Sequence, residues 1–297
     1  MTLFKIGFKR PQSLPKFIIP HTTADMIYNH VGEKGLNAHT DNTSIGMLNG
    51  EKVRFITTVE EKQQELVRLK AFETWVNENC ETRPCKTLLD YDTQKWHHFK
   101  NALGTYVFES ALLSMETGGV LICDDHATLR MIDEELQVKG AWTQSAIQSL
   151  VVRNLITLEQ AYDYYLGLIQ LRHRHTTVDK DMILYILGIN SYAINADVAA
   201  VINILSGYYS DENSLQISFA IIADLSKMLL PPKQFEQLTY YLLMRFISGR
   251  QVFPLYTRFY RLSDYYITDP QLSLIVKHAI WQLINDHHFP TLKSIRH

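Results

Sequence analysis

Apolar positions follow two rhythms along this chain, and the change between them predicts its architecture. In the first half, short apolar or alternating runs punctuate stretches of helical spacing. "FII", Phe17 to Ile19, reads as a short strand, and a turn at Pro20 leads into a helix with Thr22 or Thr23 as N-cap. Residues 35–51 are polar and rich in Gly and Asn, which predicts a loop. "KVRFITTV" alternates and is β-branched, as a strand is. Leu66, Leu69, Phe72 and Val76 then recur at the helical period, with acids in the first turn. "ETRPCKTLLDYD" predicts a loop with at most a short strand. "WHHFKNALGTYVFESALLSMETGG" predicts one helix closed by Gly118 and Gly119. The apolar "VLICDD" predicts a strand and "HATLRMIDEELQ" a helix. From there on the spacing is helical throughout, with Pro231-Pro232 and Pro254 as breaks.

Strands alternating with helices predict an α/β fold, a parallel sheet sandwiched by helices, followed by an all-helical extension. The spacing places the domain boundary near "LGINSYAIN", giving domains 1–190 and 191–297. Composition narrows the partners. The chain has 297 residues, with Lys+Arg 29 against Asp+Glu 31, so any nucleic-acid surface must be local. No apolar run is long enough to span a membrane, and the first residues lack a secretion signal. Three cysteines at irregular spacing suit a reducing cytosol better than a disulfide framework. Cys80 and Cys85 are not followed by a second pair at zinc spacing, and a zinc site is not expected.

Four acids in three segments stand out. Asp124 and Asp125 stop an apolar strand; as a pair they read either as a helix cap or as a site at the carboxyl end of a parallel strand. Glu109 sits in the middle of an almost wholly apolar helix, where a carboxylate must be paired, protonated, on a narrow polar stripe with Glu116, or bound to a cation. Asp25 lies in the first turn after "FII", a favourable place for an acid on any helix.

The order of these segments resembles the PIN-domain family of metal-dependent ribonucleases. The likeness runs over roughly residues 15–188 and includes a helical tail like that of a bacterial subgroup. The family gathers four acids at the carboxyl edge of a parallel sheet. "HTTADMI" matches its second acidic element and puts forward Asp25. "FESALLSMETGG" matches the third and puts forward Glu109. "VLICDDHATLR" matches the fourth and puts forward Asp124, with Asp125 beside it and Arg130 as a basic companion. The family's first acid, at the end of its first strand, has no counterpart. Either the strand that carries it is missing, or Asp41 or Asp90 substitutes, or the site is dead.

The resemblance implies an endoribonuclease that hydrolyses RNA with Mg²⁺ or Mn²⁺. Asp25, Glu109 and Asp124 would be metal ligands, Asp125 an outer acceptor and Arg130 a phosphate contact. The basic "LRHRH" offers Arg172 and Arg174 to an RNA backbone, although cations at a helix C-terminus have an ordinary role as well. The tyrosines of "AYDYYLGL" suit packing better than base stacking. Two other readings stand beside this one. The chain could be a non-catalytic PIN-like module whose helical part binds a partner or a second copy. "QSAIQSLVVRNLITLEQAYDYYL" could also pass for a DNA-binding helix-turn-helix, against which its single Arg153 argues.

Overall fold

The computed structural model describes residues 1–90, 93–173, 176–208, 211–247 and 252–288. The chain divides into two compact units, Met1–Thr157 and Leu158–His297. The expected boundary near residue 190 is not where contacts separate. Helices α9 (Leu158–Gln170) and α10 (Lys180–Ile189) pack on α11 (Ala196–Tyr208), so they belong with the helices that follow.

The first unit is α/β, as its strand–helix alternation predicts. Strand β1 (Phe17–Pro20) runs into α2 (His21–Leu36) and lies parallel to β4 (Cys80–Arg83), in register from Phe17↔Cys80 to Pro20↔Arg83. Strand β5 (Leu121–Ile122) lies parallel to β6 (Gly140–Ala141). The parallel strands thus form two short pairs rather than one continuous ladder. Helix α3 (Val59–Asn79) matches its periodicity, and a capping box closes its start: Thr58 Oγ1 accepts from Glu61 N–H while the Glu61 carboxylate accepts from Thr58 N–H. Residues 2–5 form a short helix, α1 (Thr2–Lys5), not a strand.

Two local predictions fail for identifiable reasons. The loop expected over 35–51 contains β2 (Asn42–Leu48), which pairs antiparallel with β3 (Glu51–Thr57). Asn49 and Gly50 join them at φ 52° and 86°, the left-handed pair that a tight two-residue hairpin turn requires. Past the short helix α4 (Thr87–Asp90), the single helix expected over 96–119 is two, α5 (Thr93–Leu103) and α6 (Thr105–Thr117). Gly104 breaks it at φ 79°, a conformation open to glycine and strained for other residues.

The core that positions the site is built around α6. Phe108 stacks on Phe99 with ring centroids 5.6 Å apart and planes 8° from parallel, and both pack with Leu112. Ala111 faces Ile132 of α7 (His126–Leu136) and Val138. After α8 (Thr143–Val152) the second unit is all helical. α9 to α11 continue into α12 (Asp211–Lys227), α13 (Pro232–Ile247), α14 (Val252–Tyr266) and α15 (Pro270–His288). Ile186, Phe219, Leu242, Phe259 and Ile280 are fully buried there. Pro232 is the first residue of α13 and Pro254 lies in the first turn of α14, where a missing N–H costs nothing. Among the described residues no helix is long and apolar enough to cross a membrane.

Candidate functional site

Two of the four proposed acids are tied to the ends of parallel strands. Glu109 is 4% exposed on α6, and one oxygen accepts a hydrogen bond from the Thr22 hydroxyl on α2, just past the end of β1. Asp124 stands just past the end of β5. The carboxyl ends of parallel strands are where ligands bind in such sheets.

Asp124 is held firmly. Its Oδ1 accepts from the Thr143 backbone N–H at 2.8 Å and its Oδ2 from the Thr143 hydroxyl at 2.9 Å. Thr143 is the first residue of α8, whose own N-cap residue, Trp142, makes no side-chain cap. The carboxylate therefore caps α8 across the β5–β6 junction, at the positive end of that helix. Asp125 caps the other helix. Its carboxylate accepts from Ala127 N–H at 3.1 Å and Thr128 Oγ1 at 2.7 Å. The Thr128 hydrogen bond, helped by those N–H groups, holds its pKa below the ordinary carboxylate value. The adjacent aspartates thus serve two different helices, which is the capping reading doubled.

The remaining predicted residues disperse. Asp25 is exposed and lies in the second turn of α2, beyond the first-turn position expected for it. It is three residues on from Thr22 and so on the neighbouring side of that helix. Arg130 is exposed and pairs with Glu134 at 2.7 Å, one turn along α7. Glu116 is no partner of Glu109: it accepts from Thr87 N–H and the Cys85 thiol. Asp41, proposed as a substitute acid, instead caps α3 by accepting from Val59 N–H at 2.9 Å. The side chain of Asp90 lies outside the described residues. Arg172 belongs to the second unit, exposed at the end of α9 with φ 56°; Arg174 lies outside the described residues. Tyr162 and Tyr165 are 5% and 4% exposed, packing residues of that unit.

As a metal site, the donor set fits a sparse shell and not a cage. Among the described residues no three His, Cys, Asp or Glu side chains stand together to hold an ion. Two carboxylates suit Mg²⁺, which commonly keeps its waters and takes one or two protein carboxylates plus substrate phosphates. Free cysteines are poor candidates: burial raises the pKa of Cys80 and Cys123, and pushes Cys85 up to about 11 with Glu116 and Glu109 adding to it.

Threonines are what sequence reading missed. Thr22 and Thr143 each hold one of the two carboxylates, and no pattern marks a lone threonine as such a donor. A cavity of about 470 Å³ opens between β1 and β5, with Asp124, Thr143, Trp75 and Leu113 in its wall and Glu109 outside it. Thr23 and Ser114 also line it, and their buried hydroxyl oxygens have no hydrogen-bond partner among the described residues.

Residues 12–134 match the model of a family described as a PIN domain associated with the TPR-GreAB-C-PIN system. That span holds β1 to β5, Glu109 and Asp124, and stops short of the helical tail. No curated protein and no solved structure matches the chain.

Proposed function

Residues 12–134 of this chain form a PIN domain, and from that premise we propose that it acts on RNA as a metal-dependent endoribonuclease with a reduced acidic site. The observation that carries the reading is Glu109. A carboxylate 4% exposed on an apolar helix is costly to keep, and its Thr22 partner follows β1 as Asp124 follows β5. Asp124 would hold Mg²⁺ or Mn²⁺, with Glu109 as its companion directly or through water. Bound there, such an ion supplies a nucleophilic water and offsets charge on the phosphoryl oxygens. The protein's own part is orientation. Thr143 fixes the Asp124 carboxylate by two hydrogen bonds, and Thr22 fixes that of Glu109. Asp25, exposed beside Thr22, is the candidate third acid once a phosphate completes the shell. Arg130 is a candidate phosphate contact and must leave Glu134 to become one.

Cleavage of a labelled single-stranded RNA, with Mn²⁺ and with chelator, tests this reading. Metal-dependent cleavage that Asp124→Asn lowers about a hundredfold or more supports it. Cleavage equal in wild type and variant assigns the activity elsewhere.

One observation favours the second reading, a non-catalytic PIN-like interaction module. The family's first acid has no strand to carry it among the described residues: upstream of β1 lies the short helix α1, and Lys9 and Arg10 follow it. In that case Glu109 and Asp124 serve only as a buried acceptor and a helix cap. The helix-turn-helix reading loses ground, because α8 and α9 fall in separate units.

A further inference from the structure

Hairpin β2–β3 has no part in the site described above, yet it carries the most exposed apolar strand surface of the first unit. Its base is tied to the rest of the unit. Asp41 accepts from Val59 N–H, and Lys62 Nζ donates to the Asn37 carbonyl at 3.1 Å. Beyond that base, neither strand pairs with a third among the described residues. A lone two-stranded hairpin is marginal in water, and its outer edges leave N–H and C=O groups open to another chain.

Its two faces differ in kind. On one, Phe55, itself 44% exposed, lies across Gly46 so closely that a β-carbon there would meet the ring at 2.9 Å. The other face carries the cross-strand pairs Thr43↔Ile56, Ile45↔Arg54 and Met47↔Lys52. Ile45, Met47 and Ile56 are 76%, 64% and 54% exposed. Arg54 donates to Thr43 Oγ1 at 3.2 Å, which keeps its guanidinium on this face. The face has two cations and no carboxylate.

We propose that the free edge of β3 receives an extended acidic segment of another protein by strand addition. Its acids stand at alternate positions opposite Lys52 and Arg54, with an apolar residue opposite Ile56. Strand addition satisfies the open backbone groups, and the period-two side chains set the choice of partner. Opposite charges directly across a ladder attract and like charges repel. A second copy of β3 would set Arg54 against Arg54 or Lys52 against Lys52, so the cations select against self-pairing. Single-stranded RNA is held by aromatic platforms, and the only hairpin aromatic, Phe55, lies on the opposite face.

The test is fluorescence anisotropy of a labelled ten-residue peptide, glutamates at two alternate positions followed by valine, titrated with the full chain. Saturable binding that weakens with salt is expected. A Lys52→Glu, Arg54→Glu double variant should bind about tenfold more weakly or worse. A peptide with lysines in place of the glutamates should restore binding to that variant, which separates loss of charge from loss of fold. N-methylation of alternate peptide amides should abolish binding. The proposal falls if the glutamate peptide does not bind, or if the double variant binds it unchanged. It falls equally if oligouridylate binds in the peptide's place, or if the wild-type chain dimerises through this face.

Discussion

Helix α6 and the β2–β3 hairpin break the usual distribution of polar and apolar groups in opposite directions. Helix α6 buries a carboxylate, Glu109, among Phe108, Leu112 and Ala111. The hairpin leaves Ile45, Met47 and Ile56 in water. Most residues of a folded chain obey the ordinary rule, so the informative places are a buried polar group and an exposed apolar patch. Here the inversions carry two different functional proposals: chemistry where charge is buried, docking where apolar surface is bare. The contrast teaches that α6 can hold its inversion because a packed core surrounds it, whereas the hairpin must find its own cover.

Stability measurements sharpen that contrast most strongly. Phe108→Ala, which removes a fully buried ring stacked on Phe99, should cost about 3–5 kcal/mol in urea unfolding. Ile45→Ser should stay within about 0.5 kcal/mol. A large loss at Ile45 would show that the hairpin face is packed, which breaks the contrast. Next in size, Thr22→Val takes the donor from Glu109 and should destabilise by about 1–3 kcal/mol. Glu109→Leu removes the buried charge together with its need and should be neutral or stabilising by the same measure. Equal losses in both variants would mean that the carboxylate is a structural element with a net favourable role.

Smaller effects belong to the caps and thiols. Asp125→Ala should cost about 1 kcal/mol at neutral pH by loss of the α7 cap. Because the folded-state pKa of Asp125 is depressed, its contribution is complete above the ordinary carboxylate value of about 3.9. It is lost as pH falls through the folded value. Wild type and variant should therefore converge in stability in acid, as followed by denaturant titrations at stepped pH. The smallest effect is kinetic. With its pKa at about 11, Cys85 should alkylate more slowly at neutral pH in the folded chain than after unfolding, by mass spectrometry of each cysteine.

Some of this was legible in the residues and some was not, for physical reasons. Helix α3 was plain because period, capping box and acidic first turn agree. Glu109 stood out because the residues around it on the helical net are apolar. The hairpin was missed because a stretch of Asn, Thr, Ser and Gly looks like a loop by composition, while the Asn49-Gly50 turn was passed over. Gly104 looked tolerable inside a helix, since only its backbone angle shows the break. Upstream of residue 17, "MTLFKIGF" is apolar enough to pass for a strand. That stretch folds as the short helix α1, and Phe4 packs its ring 5.2 Å from Phe72. Local propensity cannot foresee such a contact. The double capping by Asp124 and Asp125 depends on α8 arriving beside β5, nineteen residues after Asp124, and no short-range pattern carries that.

The central claim is that Glu109 and Asp124 together bind a divalent ion. Thermal unfolding in millimolar Mn²⁺, compared with chelator, tests it most directly for wild type, Asp124→Asn and Glu109→Gln. Wild type should gain several degrees, since a ligand that binds only the folded state stabilises it by mass action. Asp124→Asn should gain nothing and Glu109→Gln less than wild type. No gain in wild type, or the same gain in all three chains, would contradict the account.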